Sequence, residues 1–190
     1  MVHEFFRYLW KSVGRNFVER RIYPTIEKFI ARSPYPQIIC PSEYTKKALM
    51  ELGVEEKIIN VIYHGIDHSI FHPDYNELIK NEFENKYIIG WAGRIGHSLT
   101  KNLNTLLEAF KIVKTEIANS ILLLEGSNFN YLVPTIKKLG LEISKDVIYK
   151  GEASKEDLPY FYSLCDVFAM PSLSEGFGFS ALEAQACGVP

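Results

Sequence analysis

The spacing of apolar positions changes several times along this chain, and each spacing predicts a different element. Phe6, Leu9, Trp10, Val13 and Phe17 fall on one helical face, with Arg7, Lys11 and Arg15 elsewhere, which predicts an amphipathic helix near the N-terminus. Pro24, Pro34 and Pro36 punctuate the next stretch of chain. Residues 37–40 form a short apolar run closed by Pro41 and Ser42, predicting a buried strand that leads into a helix over 43–52, with Gly53 placed to end it. Residues 57–63 return as a β-rich run before a turn at His64-Gly65-Ile66-Asp67.

From Tyr87 the pattern is regular. Apolar runs at 87–92, 121–124, 147–149 and 167–170 alternate with helical segments, one of which carries Leu103, Leu106, Leu107, Phe110 and Val113 on a single face. Short continuous apolar strands between amphipathic helices indicate parallel strands covered on both sides, so the expected fold class is α/β, a doubly wound parallel sheet. The polar stretch over 74–84 is the expected domain boundary. The last helix is expected from Phe179 to Cys187 and Gly188 would end it. The chain then stops at Pro190, where such a fold would start another strand, so the sequence reads as cut.

Composition narrows the class. With 47% hydrophobic and 23% charged residues the chain is globular, which excludes disorder, collagen and coiled coil. A net charge of -2 is the wrong sign for a surface built wholly to hold nucleic acid. Residues 1–32 are the exception, with seven basic against three acidic residues, a local +4 that leaves -6 for the remainder. Their helix reads either as a peripheral contact with an anionic membrane surface or as a helix packed on a core with a solvated basic face. No run approaches the ~18 apolar residues of a membrane span, and charge every few positions near the N-terminus argues against a signal peptide. Cys40, Cys165 and Cys187 show no C-x-x-C spacing, so neither a disulfide framework nor a zinc site is expected, and the expected compartment is the cytoplasm. His64, His68 and His72 recur every four residues, but Gly65 and Pro73 interrupt any helix there, so loop histidines are expected rather than metal ligands.

In a doubly wound sheet the chemistry sits beyond the carboxyl ends of the strands. The loop from Gly93-Arg94 to Lys101-Asn102 offers close backbone approach and two cations that can share one anion, although a solvated surface loop would read the same way. The loop Pro171-Ser-Leu-Ser-Glu175-Gly176-Phe177-Gly178-Phe179 opens the last helix, so its N–H groups suit phosphate or sugar oxygens. Glu175 and Glu183 can face one crevice and accept bonds from vicinal hydroxyls; read alone, they are equally a capping and a solvated glutamate. No D-x-D occurs, so a metal-dependent alternative lacks its ligand motif.

Residues 171–190 resemble the E-x7-E signature of the GT-B retaining glycosyltransferases of family 4, the glycosyl transferases group 1. Ser42-Glu-Tyr-Thr, the segment 57–67 and Phe71-His-Pro73 are similar to the end of that family's N-terminal domain. Gly93-Arg94 with Lys101-Asn102 resembles its diphosphate loop, and 147–151 with the segment through Asp157 and 162–166 resembles its base-proximal region. The sequence departs from the pattern at His64, where the family usually has Asn, and in a longer spacing from Arg94 to Lys101.

The resemblance implies that residues 1–80 are a remnant of the N-terminal acceptor domain with its connector, and 81–190 a partial C-terminal donor domain of Rossmann-like GT-B type. It implies a hexosyltransferase-type enzyme that uses a UDP-, GDP- or ADP-sugar, without cofactor or metal, and transfers the sugar with retention to an unassigned glycan, lipid or small-molecule acceptor. Arg94 and Lys101 would bind the diphosphate, Gly93 would belong to their loop, Glu175 would contact the sugar, and Glu183 the ribose. The backbone of Gly176, Phe177, Gly178 and Phe179 would hold sugar and phosphate. The alternative is a non-catalytic nucleotide-sugar-binding module, or a truncated subunit completed by a partner acceptor domain.

Overall fold

The computed structural model describes residues 37–73, 83–95 and 99–190. The expected amphipathic helix and the basic segment 1–32 lie outside them, as do most of the polar stretch 74–84 and Gly96, His97 and Ser98. Two compact units divide between His64 and Gly65.

The described part of the first unit is one β-α-β element: β1 (Ile38–Cys40), α1 (Glu43–Glu51) and β2 (Ile59–Val61). The strands pair in parallel, with Ile38 opposite Ile59 and Cys40 opposite Val61. Ser42 starts the helix because its Oγ accepts the Thr45 N–H at 3.1 Å, satisfying a donor that the first turn leaves open. β2 is shorter than the run 57–63 because its first residues form a 3-10 turn, Glu56–Ile58, in which Glu56 accepts from Lys46 at 2.8 Å. Cys40, Val54 and Ile59 make the buried core of this element.

The second unit holds β3 (Tyr87–Ala92), α2 (Leu103–Glu116), β4 (Ser120–Glu125), α3 (Val133–Lys138), β5 (Val147–Tyr149), α4 (Leu158–Ser163), β6 (Val167–Phe168) and α5 (Phe179–Ala186). All strand pairings are parallel, in the order β5-β4-β3-β6. This is the expected α/β sheet. Alternation along the strands sorts their side chains onto two faces. Ile89, Trp91, Leu122 and Leu124 meet Leu103, Leu106, Leu107 and Phe110 of α2 and Ile136 of α3. Ile88, Ala92, Ile121 and Leu123 meet Phe161 and Tyr162 of α4 and Ala184 of α5, together with Cys187. Both faces are thus covered, and every residue of β4 is buried, which explains the unbroken apolar run between its first residue, Ser120, and its final carboxylate. Phe71 is 1% exposed within the second core, so this unit begins ahead of the polar stretch at which composition suggested a boundary. Among the described residues no helix is long and apolar enough to cross a membrane.

Candidate active site

The strand order places a switch point between β3 and β6. From β3 the chain proceeds to β4 and β5 on one side, then returns to β6 on the other, which is the position at which a doubly wound sheet forms its ligand crevice. Both loops singled out in the sequence begin at this point.

They are tied together by the backbone. Leu173 N–H donates to the Thr100 carbonyl at 2.7 Å, and Asn102 Nδ2 donates to the Pro171 carbonyl at 3.2 Å. Asn102 caps α2 with φ 53°, a left-handed conformation that Asn tolerates better than most residues. Just before it, Lys101 closes the 3-10 turn Leu99–Lys101. The consequence is an ion pair across the crevice: Lys101 Nζ lies 2.6 Å from Glu175 Oε1, with the two side chains 32% and 25% exposed.

Burial pushes the Glu175 carboxyl upward, but the hydrogen bond and charge of Lys101 outweigh it and hold the group below its ordinary value. A carboxylate depressed in the fold stabilises the protein above its unfolded pKa, and that contribution is lost as pH falls through the folded pKa. Glu175→Gln is therefore expected to lower stability at neutral pH by up to about 1 kcal/mol, the scale of a partly exposed pair. In urea titrations the gap between the two proteins should close as pH drops below the normal carboxylate range; a gap that persists in acid would show that the pair is not its source.

Gly178, the N-cap of α5, has φ 91° and carries no side chain that could cap the helix. The helix thus starts without a side-chain cap, and Ala181 and Leu182 N–H close its first turn onto the Gly178 carbonyl. A Cβ at Gly178 would also come within 3.1 Å of Met170 Cε, whereas one at Gly176 would meet nothing within 4 Å. The need for glycine shown by the fold is therefore at Gly178. The Phe177 and Phe179 rings pack edge-on beside it at 5.4 Å.

Gly93 and the exposed Arg94 follow β3 directly. Gly93 N–H donates to the Glu125 carbonyl at 3.1 Å, and Gly126 N–H to the Gly151 carbonyl at 2.7 Å, so the ends of β3, β4 and β5 form one shelf. A Cβ at Gly126 would run into the Gly93 carbonyl. Close backbone approach at Gly93 thus depends on a second glycine one strand away.

Glu183, one turn into α5, does not share partners with Glu175. Its Oε2 accepts from the Tyr162 hydroxyl at 2.7 Å. By strand alternation Glu125 lies on this same face, 5% exposed, and accepts the Ala153 N–H at 2.6 Å, which holds the loop after β5. Burial is the main cause that pushes the Glu125 carboxyl up; the Ala153 N–H opposes it, and Glu152 and Glu183 add to it. Sequence reasoning assigns Glu125 no role and Tyr162 only a place in the segment that resembles the base-proximal region. For Glu125 a signal existed: a lone carboxylate closing a buried parallel strand stands at the ligand edge of the sheet. Among the described residues no group of three or more His, Cys, Asp or Glu is placed to hold a metal ion.

The family model for glycosyl transferases group 1 matches residues 76–190. Mannosylfructose-phosphate synthase of Agrobacterium fabrum is 29% identical over 195 residues, covering 92% of this chain and 40% of that protein. The UDP-Gal:alpha-D-GlcNAc-diphosphoundecaprenol alpha-1,3-galactosyltransferase of Escherichia coli is 27% identical over 204 residues, covering all of this chain and 50% of that one. The chain thus spans half or less of the length of these relatives. The crystal structure of Anabaena Alr3699/HepE in complex with UDP-glucose superposes with a TM-score of 0.75 at 21% identity, over 90% of this chain and 48% of that one.

Proposed function

We propose, because this chain belongs to the glycosyl transferases group 1 family, that its second unit is the donor half of a GT-B enzyme that takes a nucleoside-diphosphate sugar and transfers the sugar with retention. The observation that carries this reading is the Lys101–Glu175 pair, which joins the two loops at the switch point of the sheet just ahead of the N-terminus of α5. Departure of a nucleoside diphosphate concentrates negative charge. In this reading Arg94, Lys101 and the first N–H groups of α5 offset that charge as it develops, a role in which one donor is worth about 3 kcal/mol. Lys101 then exchanges Glu175 for phosphate oxygens, and Glu175 is released to accept from sugar hydroxyls. Glu183 takes the ribose hydroxyls. The names of the relatives, one of them a UDP-galactose enzyme, and the UDP-glucose bound in the Anabaena structure support a nucleotide sugar as ligand. A reducing compartment, the cytoplasm, suits three free and buried cysteines.

Thermal unfolding with UDP-, GDP- and ADP-sugars tests the reading. One donor class should raise the midpoint; at a hundredfold excess over Kd the stabilisation is about 2.7 kcal/mol. Arg94→Ala should remove most of that rise and Lys111→Ala, on α2, should leave it. A folded chain that responds to none of the three classes would contradict the proposal.

A further inference from the structure

Tyr162 is 0% exposed, so no ligand reaches it, yet its hydroxyl ends on a carboxylate of the candidate site. The ring is held on three sides: edge-on against Phe161 at 5.7 Å and Phe168 at 5.3 Å, and tilted against Phe71 at 6.3 Å. A ring so packed cannot swing, and its hydroxyl therefore marks a fixed point in the core. That point donates to Glu183 Oε2 at 2.7 Å.

We infer that Tyr162 is a positioning residue: it clamps one oxygen of Glu183 and thereby aims the other at the hydroxyls of a ribose. The inference rests on the nucleotide-sugar reading above. Two features argue for positioning rather than packing alone. Phenylalanine would fill the same space, so only the hydroxyl bond distinguishes tyrosine here. Glu183 is half-buried and its carboxylate carries two acceptor oxygens, so engaging Oε2 leaves Oε1 for a second donor.

The test is a calorimetric double-mutant cycle on the chain, using whichever of UDP, GDP and ADP binds and its 2′-deoxy and 3′-deoxy counterparts. The wild type should prefer the ribose form by about tenfold, and Tyr162→Phe should shrink this preference to about twofold. In a Glu183→Ala background, which itself lacks the preference, Tyr162→Phe should add no further loss. Circular dichroism confirms that each variant is folded. If Tyr162→Phe does not fold, Glu183→Ala alone decides, and an undiminished ribose preference there overturns the inference. A full ribose preference in Tyr162→Phe, or losses that simply add, likewise overturns it while leaving nucleotide binding intact. A wild-type chain that binds none of UDP, GDP and ADP removes the donor reading itself, and this inference with it.

Discussion

Lys101→Ala is expected to weaken nucleoside diphosphate binding by about two orders of magnitude, more than loss of one surface cation would produce. Two effects combine. The variant loses a charge that would pair with phosphate oxygens, and it strands Glu175, whose carboxylate now accepts the lysine at 2.6 Å and is three-quarters buried. A stranded carboxylate in that crevice repels the incoming diphosphate. The double variant Lys101→Ala/Glu175→Gln removes the repulsion but not the lost attraction, so it should bind more tightly than Lys101→Ala and more weakly than the wild type. Titration calorimetry of the three proteins with UDP, GDP and ADP reads the order directly. A double variant no better than the single one would mean that the pair does not stand where the diphosphate binds.

The second large effect concerns the shelf beneath that site. Gly126 has φ 127°, and a Cβ there would overlap the Gly93 carbonyl, which is backbone and has no rotamer by which to withdraw. Gly126→Ala therefore has to push β3 and β4 apart at their carboxyl ends or break the Gly93–Glu125 bond. The expected cost is about 3 kcal/mol or more, combining overpacking with backbone strain. Gly140→Ala is the control: φ there is 67° but no atom lies within 4 Å, so it should cost about 1 kcal/mol from conformation alone. Urea unfolding separates the two. Equal midpoints would show that the contact with Gly93 yields without cost.

These two sites differ in how far the sequence disclosed them. Strands 87–92 and 147–149 and the helix through Leu107 and Phe110 stood out because a sheet covered on both faces demands unbroken apolar runs and one-sided helices. β6 is only two residues long, against a run of four, although Ala169 N–H still bonds to the Gly90 carbonyl of β3 just beyond its end. α3 had no clear pattern: Ile136 is its one buried residue. The loops of the site were recognisable, and so were Lys101 and Glu175, but not that they pair, since they lie 74 residues apart and only the switch in strand order brings their loops together. Tyr162 with Glu183, and Gly126 with Gly93, are likewise tertiary contacts with no local periodicity. Local pattern disclosed elements; partners across the crevice needed the fold.

The donor role proposed for this chain requires that the crevice between β3 and β6 hold a nucleoside diphosphate against Arg94, Lys101 and the N-terminus of α5. A crystal structure of the chain with the nucleoside diphosphate that stabilises it tests this without intermediaries. The diphosphate should lie within hydrogen-bond reach of Lys101 and of the first N–H groups of α5, with the Lys101–Glu175 pair opened and the ribose on Glu183. A nucleotide bound elsewhere on the unit, with the Lys101–Glu175 pair still closed, would refute that placement.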